Sequence, residues 1–254
     1  MSKVFPLQDE FVIFTGIPRS KEAADLTSGL GGTAVIAPLI STAEIVSTED
    51  EKKLLESQMY NWFIFTSQSS VQAFHEKMKR YKLDISFFQA RIAVVGSQTA
   101  SAMERIGFTV DFTPKTFSAD VFVQEFPAFV SADDTCLFFG GNLAKNTISD
   151  GLPNVVDVWT IYETVELEEN KEQVRKLLES DQSCSIIFTS PSTAKVFHQS
   201  IGQYLGYNRY TICAIGHITK DYLKSLGVTV HVMPDTYTLT EVVNKLAQWK
   251  GREQ

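Results

Sequence analysis

The chain has 254 residues, of which 44% are hydrophobic and 21% charged, and its formal net charge is −7. These proportions are typical of a globular protein that buries a sizeable core in one large or two small domains. The acidic balance, with no basic run to offset it, excludes a typical nucleic-acid-binding protein.

No apolar run approaches the roughly 20 residues that a membrane span requires, and the N-terminus lacks the apolar segment of a signal peptide. We therefore expect a cytoplasmic protein that does not enter the membrane. The three cysteines, Cys136, Cys184 and Cys213, lie far apart, each in or beside an apolar run. Because their number is odd and no Cys-x-x-Cys spacing occurs, they predict buried thiols rather than disulfides or a metal site.

Short apolar runs alternate with helix-like segments along the chain, which predicts parallel sheets with helices packed on their faces. The predicted strands are 10–15, 33–40, 62–65, 91–95, 108–112, 136–139, 155–162, 185–188, 211–215 and 228–232. The predicted helices include 20–30, 49–59, 98–106, 119–129 and 240–249. The acidic stretch 163–172 is predicted to be a solvated segment that leads into a helix ending near Leu178.

The chain contains the same pattern twice. Phe65-Thr66-Ser67 and Phe188-Thr189-Ser190 each end an apolar run and precede a helical pattern, and they lie 123 residues apart. Three further pairs share an offset of 120 residues, namely Gly96 and Gly216, Gly107 and Gly227, and Pro114 and Pro234. A constant offset across strand, helix and turn predicts an internal duplication of an α/β unit.

Small polar turns follow several of the predicted strands. They are 66–69, 96–99, 140–142, 190–192 and 216–219. Ligands of open parallel sheets bind at the carboxyl ends of the strands, and the helix N-termini there attract anions. Taken singly, Ser67, Ser69, Ser190 and Ser192 are explained by helix capping. Taken as matched pairs, the turns fit a symmetric ligand cradle better.

No familiar catalytic signature occurs, since the chain lacks the GxGxxG, GxxxxGK[ST], GxSxG and HExxH patterns. His217 follows a loop glycine, and we interpret it as a polar loop contact rather than a base. Tyr162 ends an apolar strand just before the acidic stretch. A neutral phenol can donate a hydrogen bond or a proton to a leaving hydroxyl. The residues alone leave this role and that of a packed aromatic at a strand end equally open.

An ordered set of motifs resembles uroporphyrinogen-III synthase over nearly the whole chain. The motifs are the two Phe-Thr-Ser turns, Val95-Gly96-Ser97-Gln98-Thr99-Ala100, Gly141-Asn142-Leu143, Ile161-Tyr162-Glu163-Thr164 and Ile215-Gly216-His217-Ile218-Thr219. The resemblance implies two similar parallel-sheet α/β domains with a cleft between them, whose boundaries differ from those of the sequence repeat. The implied domains are 1–38 with 168–254 and 45–161, joined by linker strands 39–44 and 162–167.

The same resemblance implies that the chain closes linear hydroxymethylbilane to uroporphyrinogen III, a step of tetrapyrrole and haem biosynthesis. Ring D is inverted through a spiro intermediate and water is lost. The family uses no cofactor and no metal. Tyr162 matches its key tyrosine, which assists loss of the terminal hydroxyl. The implied substrate-binding residues are Thr66, Ser67, Ser69, Gly96, Ser97, Thr99, Gly141, Asn142, Ser190, Ser192, Gly216, His217 and Thr219.

The implied partner is the small-molecule substrate hydroxymethylbilane, which hydroxymethylbilane synthase could hand over. Because no long exposed apolar patch is evident in the sequence, we expect a monomer. The sequence departs from the family pattern at three places. Thr15 is followed by Gly16, with Arg19 displaced, where the family often has Thr-Arg. His217 and Ile218 replace small residues, and Lys220 replaces an alanine. These departures leave open a second function, a non-catalytic tetrapyrrole-binding module or degenerate synthase of the same fold.

Overall fold

A computed structural model of the chain describes residues 5–17 and 21–253. The chain forms mixed α/β structure in two compact units. The first unit is Met1–Ser41 with Val165–Gln254, and the second is Thr42–Thr164. The predicted helix start at Ser20 and the displaced Arg19 lie outside the described residues. No helix in the described part of the chain is long and apolar enough to cross a membrane.

The strands, in chain order, are β1 (Glu10–Phe14), β2 (Thr33–Ile36), β3 (Ile40–Glu44), β4 (Trp62–Phe65), β5 (Arg91–Val94), β6 (Cys136–Gly141), β7 (Val156–Glu166), β8 (Ser183–Phe188) and β9 (Thr211–Ala214). The helices are α1 (Glu22–Gly29), α2 (Asp50–Glu56), α3 (Gln68–Arg80), α4 (Ser97–Arg105), α5 (Ala119–Glu125), α6 (Thr147–Gly151), α7 (Glu168–Glu179), α8 (Pro191–Phe197), α9 (Gln203–Leu205), α10 (His217–Ser225) and α11 (Leu239–Glu253). This alternation confirms the predicted class of parallel-sheet α/β structure.

The first unit is built on a four-stranded parallel sheet of order β2-β1-β8-β9. Successive strand residues point to opposite faces. Ile13 therefore packs on one face with residues of α7, α8 and α10, and Val12 and Phe14 pack on the other with α1 and α11. Both faces are covered, which is why the strands read as continuous apolar runs.

One polar side chain at the start of β1 is buried in this unit. Glu10, only 4% exposed, accepts hydrogen bonds from the hydroxyls of Ser183, at 2.5 Å, and Ser185. Lys250 of α11 completes its environment with an ion pair of 2.9 Å. A buried carboxylate needs such partners, because without them its desolvation costs several kcal/mol. The group ties β1, β8 and α11 together.

The second unit is built on a five-stranded sheet of order β3-β7-β6-β4-β5. The pairs among β4, β5, β6 and β7 are parallel. One face carries a cluster of phenylalanine rings, in which Phe65 and Phe139 stack at 4.6 Å and Phe74 of α3 packs against both. The other face packs on α5 and α6. Edge strand β3 is antiparallel to β7, as the bonds from Ile45 N–H to Ile161 O and from Leu167 N–H to Leu39 O indicate.

The predicted strands 108–112 and 228–232 were wrong, because each forms only one isolated bridge, at Phe112 and Val232. In each of these two segments, a side chain replaces a backbone carbonyl as the hydrogen-bond acceptor. The Asp111 carboxylate accepts the N–H of Ile92 at 2.8 Å, and His231 Nδ1 accepts the N–H of Ile212 at 2.9 Å. The regular ladder therefore ends after one contact.

The acidic stretch 163–172 also differs from its predicted form. Strand β7 continues to Glu166, and α7 begins at Glu168. Lys171, 7% exposed, forms ion pairs with Glu166 at 2.7 Å and with Glu168. These pairs reduce the repulsion among neighbouring carboxylates and allow regular structure to form.

A buried lysine anchors the start of the second unit. Lys77 of α3 has a fully buried side chain that pairs with Asp50 at 2.6 Å and Glu44 at 3.1 Å. Its ammonium also donates to a backbone carbonyl and lies 5.5 Å from the ring centroid of Trp159. Burial raises the pKa of Glu44, but hydrogen bonds from Arg80 and Lys77 outweigh it, so the pKa lies below its ordinary value.

We expect Lys77→Met to lower the free energy of unfolding by about 3–5 kcal/mol, because it removes the cation nearest the buried Asp50 carboxylate and leaves only Arg80 Nη1, 3.9 Å away. Lys79→Met on the same helix is the matched control, since Lys79 forms only an exposed pair with Glu76. Urea denaturation of both variants measures the difference. Equal stabilities of the two variants would contradict the prediction.

The three cysteines are free and buried, as predicted. Burial raises the pKa of Cys136 and of Cys184 to about 11, and it also raises the pKa of Cys213. Only a thiolate reacts readily with thiol reagents. We therefore expect no labelling of the native protein by a disulfide reagent at pH 7, and labelling of all three thiols once urea unfolds it. Rapid labelling without urea would refute this expectation.

Candidate active site

Parallel pairing brings the ends of two strands beside the middle of a third in the second unit. Phe65 of β4 is opposite Phe139 of β6, and Gly141 of β6 is opposite Tyr162 of β7. The carboxyl ends of β4 and β6 therefore lie beside the middle of β7. Four of the predicted site residues meet at this edge, namely Ser67, Gly141, Asn142 and Tyr162.

The Tyr162 side chain lies against the backbone of Gly141. A Cβ added to Gly141 would be 2.6 Å from Tyr162 Cε2 and 2.7 Å from its hydroxyl oxygen. These distances are shorter than any real Cβ contact, so only glycine allows the ring to lie here. The register of the β6–β7 pair shifts between Gly140 and Gly141, which marks a β-bulge at the same point.

Ser67 connects this tyrosine to α3. Its hydroxyl accepts the backbone N–H of Ser70 at 3.1 Å and donates to Tyr162 Oη at 3.1 Å. When the Ser67 proton lies on this bond, the phenolic proton of Tyr162 is available for another acceptor. The tyrosine is half-buried at the edge of the phenylalanine cluster, so one end of the ring is held by apolar packing and the other by a hydrogen bond.

Asn142 fixes the turn after β6. Its backbone N–H donates to Tyr162 O at 3.0 Å, and its side-chain Oδ1 accepts the N–H of Thr164 at 3.0 Å. Both bonds hold Asn142 against β7 on either side of Glu163. The exposed amide is therefore positioned by two backbone groups rather than by side-chain packing.

Two of the polar turns close on themselves. Ser67 caps α3 and Ser190 caps α8, and the α8 cap is a full capping box with Thr193. The capping interpretation of these two serines is therefore confirmed. Thr66, just before Ser67, and Ser69, in the first turn of α3, are half-buried, whereas Ser192, in the first turn of α8, is exposed.

The other two turns begin with glycine. Gly96 is the N-cap of α4 and Gly216 that of α10, and a glycine supplies no side-chain acceptor for the first N–H groups of the helix. Ser97 and His217 are exposed at the first helical position. The threonines predicted as contacts in these turns, Thr99 and Thr219, are instead buried, at 4% and 3% exposure.

In the first unit, His217 has a partner that sequence reasoning missed. Tyr237 Oη lies 3.0 Å from His217 Nδ1, and the two ring centroids are 5.6 Å apart. The Tyr237 ring also lies over Gly216, where an added Cβ would be 3.1 Å away. One signal was available, because Tyr237 follows Gly216 by the same interval that separates Phe117 from Gly96.

The departure at Gly16 has a steric explanation. A Cβ at Gly16 would lie 2.9 Å from Thr189 Cβ, so no larger residue fits without moving Thr189. Thr15 is buried and its hydroxyl donates to Ile187 O at 2.8 Å. The arrangement makes Thr15 a structural contact between β1 and β8.

A separate cavity of about 170 Å³ lies at the opposite ends of the strands of the second unit, between Tyr60 and Asp157. The Tyr60 hydroxyl donates to Asp157 Oδ2 at 2.6 Å, and burial, followed by this carboxylate, raises the pKa of Tyr60 to about 12. None of the predicted site residues lines it. Tyr60 therefore lies outside the candidate site.

The family model of uroporphyrinogen-III synthase HemD matches residues 21–244. The chain belongs to the uroporphyrinogen-III synthase family. Members of this family are cyclising lyases that act on hydroxymethylbilane in porphyrin biosynthesis.

Two relatives support this membership by sequence. The porphyrin biosynthesis protein HemD of Ruminiclostridium josui is 26% identical over 231 residues, which cover 87% of this chain and 45% of that protein. The chain thus spans less than half the length of that relative. The uroporphyrinogen-III synthase of Chlorobaculum parvum is 29% identical over 180 residues, covering 68% of this chain and 73% of the relative.

Two solved structures share the fold. A mutant uroporphyrinogen III synthase from the extremely thermophilic bacterium Thermus thermophilus matches with a TM-score of 0.67 at 16% identity, over 95% of this chain and 99% of that one. The uroporphyrinogen-III synthetase of Helicobacter pylori 26695 matches with a TM-score of 0.63 at 17% identity, over 94% and 98%. At these sequence identities, the similarity shows that this chain shares the fold of the two solved structures.

We expect Gly141→Ala to destabilise the protein by about 1–3 kcal/mol, because the new methyl group overlaps the Tyr162 ring. The adjacent variant Gly140→Ala is the control, since its Cβ would meet Ala144 and Phe138 at ordinary distances of 3.4 and 3.5 Å. Urea denaturation measures both. A Gly141→Ala protein as stable as Gly140→Ala would show that Tyr162 does not depend on this contact.

Proposed function

We propose that this chain cyclises hydroxymethylbilane to uroporphyrinogen III, with inversion of ring D through a spiro intermediate and loss of water. The observation that supports the chemistry is the Tyr162 hydroxyl, which accepts a hydrogen bond from Ser67 at 3.1 Å and keeps its own proton available. Membership in the synthase family supports the choice of substrate.

Tyr162 acts on the leaving hydroxyl. The phenol donates its proton as the carbon–oxygen bond at the terminal hydroxymethyl group breaks, and the hydroxyl leaves as water. The ring nitrogen supplies the electron pair, which gives an azafulvene cation. The Ser67 hydroxyl stabilises the negative charge that develops on Tyr162 Oη. The substituted carbon of ring D attacks the azafulvene cation and forms the spiro intermediate. The bond from that carbon to its original methylene bridge then breaks, which gives a second azafulvene cation, and the methylene bonds instead to the free α-carbon of the same ring. That carbon loses its proton, which returns to the phenolate, and a neutral macrocycle remains.

The polycarboxylate substrate binds an acidic protein through backbone groups rather than through a basic patch. The helices α4 and α10 are capped by glycines, and the backbone N–H groups of Ser97 and His217 at their first positions can donate to carboxylates. The buried threonines of the same turns contribute by shaping them. Further polar contacts come from Thr66, Ser69, Asn142 and Ser192.

The two units derive from an internal duplication in this proposal. Their sheets share the order of four strands, since β2-β1-β8-β9 corresponds to β7-β6-β4-β5. The isolated bridges at Val232 and Phe112 follow β9 and β5 in the same way. Gly107 and Gly227 both end a helix with positive φ, at 98° and 75°. We propose domains 1–38 with 168–254 and 45–161 on this basis.

Catalysis consists mainly of fixing geometry. The substrate cyclises unaided to the wrong isomer, so the enzyme must hold the inverted ring near the cation before the bond forms. Strand residues such as Gly141 and Tyr162 serve this purpose better than loop residues do. No cofactor enters the proposed reaction.

The decisive experiment is an isomer assay. Hydroxymethylbilane is generated in situ by its synthase, the protein is added, and the products are oxidised and separated as type I and type III uroporphyrins. We expect type III in clear excess over the uncatalysed control. Tyr162→Phe should lower kcat at least about tenfold, since it removes the donated proton. Ser67→Ala should also lower kcat, because its hydrogen bond to the developing phenolate is charge-assisted and is worth about 1.5–3 kcal/mol.

The matched control is Tyr60→Phe, which removes a tyrosine hydroxyl outside the candidate site and should leave kcat unchanged. Circular dichroism checks that each variant is folded. Type I alone from folded wild-type protein would refute the enzymatic proposal and leave a non-catalytic tetrapyrrole-binding module of the same fold. A Tyr162→Phe variant with wild-type kcat would refute the role of Tyr162 but not the reaction.

A further inference from the structure

Two neighbouring cavities in the first unit share one wall. The smaller, of about 240 Å³, is lined by Ser190, Gly216, His217 and Ile218, and the larger, of about 460 Å³, by residues of α1 and the start of α11. Thr189, Ile215 and Tyr237 line both. Tyr237 therefore separates two spaces, and the larger has the size of an ordinary ligand pocket.

The Tyr237 ring packs against the protein on one side and is exposed to solvent elsewhere. It lies over the Gly216 backbone, and its hydroxyl is held 3.0 Å from His217 Nδ1. The residue is nonetheless 51% exposed. An aromatic ring that is fixed by packing and a hydrogen bond loses little entropy when a ligand stacks on it. This is the geometry of a binding residue rather than of a core aromatic.

The hydrogen bond also orients His217. When the Tyr237 phenol donates to Nδ1, the neutral imidazole carries its proton on Nε2. Nε2 then faces away from Tyr237 as a donor, and an anionic acceptor such as a carboxylate selects this tautomer. The first N–H groups of α10 are adjacent and favour the same charge.

The second unit lacks this pair at the equivalent positions. Phe117 follows Gly96 as Tyr237 follows Gly216, and Ser97 corresponds to His217. Phe117 is also exposed, at 59%, but it has no hydroxyl to orient a neighbour. The phenol–imidazole pair is therefore a feature of the first unit alone, and it makes two otherwise similar strand edges chemically different.

We propose that Tyr237 and His217 form a subsite for one pyrrole ring of the substrate. The pyrrole packs on the Tyr237 ring, and one of its carboxylates accepts the Nε2 proton of His217. The inference rests on the proposed function, because it names the part of the substrate that the first unit binds. Tyr237 is a binding residue that takes no part in the chemistry proposed for Tyr162.

The test separates KM from kcat in the isomer assay. Tyr237→Leu removes the aromatic face and should raise KM about tenfold with kcat within about twofold, the signature of lost uniform binding. Tyr237→Phe keeps the face but loses the orienting hydroxyl, and should raise KM about threefold. Tyr204→Leu, which removes an exposed tyrosine of the same unit outside both cavities, is the control and should keep the wild-type KM.

A direct titration with uroporphyrin III, followed by the fluorescence of the porphyrin, gives a readout that does not depend on turnover. Weaker binding by Tyr237→Leu than by Tyr204→Leu supports the subsite. If wild type makes type III while both Tyr237 variants keep its KM, the subsite is refuted and the enzyme stands.

The opposite failure is equally visible. If wild type makes only type I, the proposed function fails, and the titration alone decides the subsite. A loss of porphyrin affinity in Tyr237→Leu would then keep the subsite as part of a binding module. Equal affinity in the two leucine variants, or no binding by wild type, would refute it. Should Tyr237→Leu not fold, Tyr237→Phe decides by the same measurements.

Discussion

The contact between the Tyr162 ring and the backbone of Gly141 is the constraint on which the candidate site depends. Only a residue without Cβ lets the ring lie across the end of β6, and this position puts the hydroxyl within reach of Ser67. In the same stretch of β7, the Tyr162 carbonyl accepts the Asn142 N–H, and the Thr164 N–H donates to Asn142 Oδ1. The register of the β6–β7 pair thus fixes the position of the Tyr162 hydroxyl.

The helix N-termini at the strand ends divide into two kinds with different chemistry. Those of α3 and α8 start with serine, and the hydroxyl of each cap satisfies a backbone N–H. Those of α4 and α10 start with glycine, which has no side chain to accept an N–H, and in α4 the Gly96 carbonyl accepts the Thr99 N–H at 3.0 Å instead. In the proposed function, the N–H groups of Ser97 and His217 let a protein with a net charge of −7 bind a polyanion at chosen points without a basic surface.

The sequence is informative wherever the determinants are local or repeated. The apolar runs, the serine caps and the offset of 120 residues predict the parallel sheets and place Ser67 and Gly141 at strand ends, whereas the predicted strand end at Tyr162 lies inside β7, which continues to Glu166. The partners of charged and aromatic residues are not local. Lys77 reads as one of several lysines on an amphipathic helix, and only the tertiary fold brings it to its buried carboxylates. The ladder beside β5 and β9 ends early because a side chain replaces a backbone acceptor, which periodicity does not reveal. Tyr237 stands in a loop whose path depends on the whole unit.

The division of the first unit between two distant parts of the chain has a consequence for biosynthesis. Glu10 and its partner Ser183 are separated by 173 residues, so β1 leaves the ribosome long before β8 exists. The second unit, Thr42–Thr164, is continuous and can fold in the interval. When it folds, the Ile45 N–H donates to Ile161 O. This bond brings together the two segments of the chain that connect the units. The loop that remains to be closed is then short, and the entropic cost of pairing β1 with β8 falls accordingly. Folding of the second unit, which is inserted in the sequence of the first, therefore favours folding of the first.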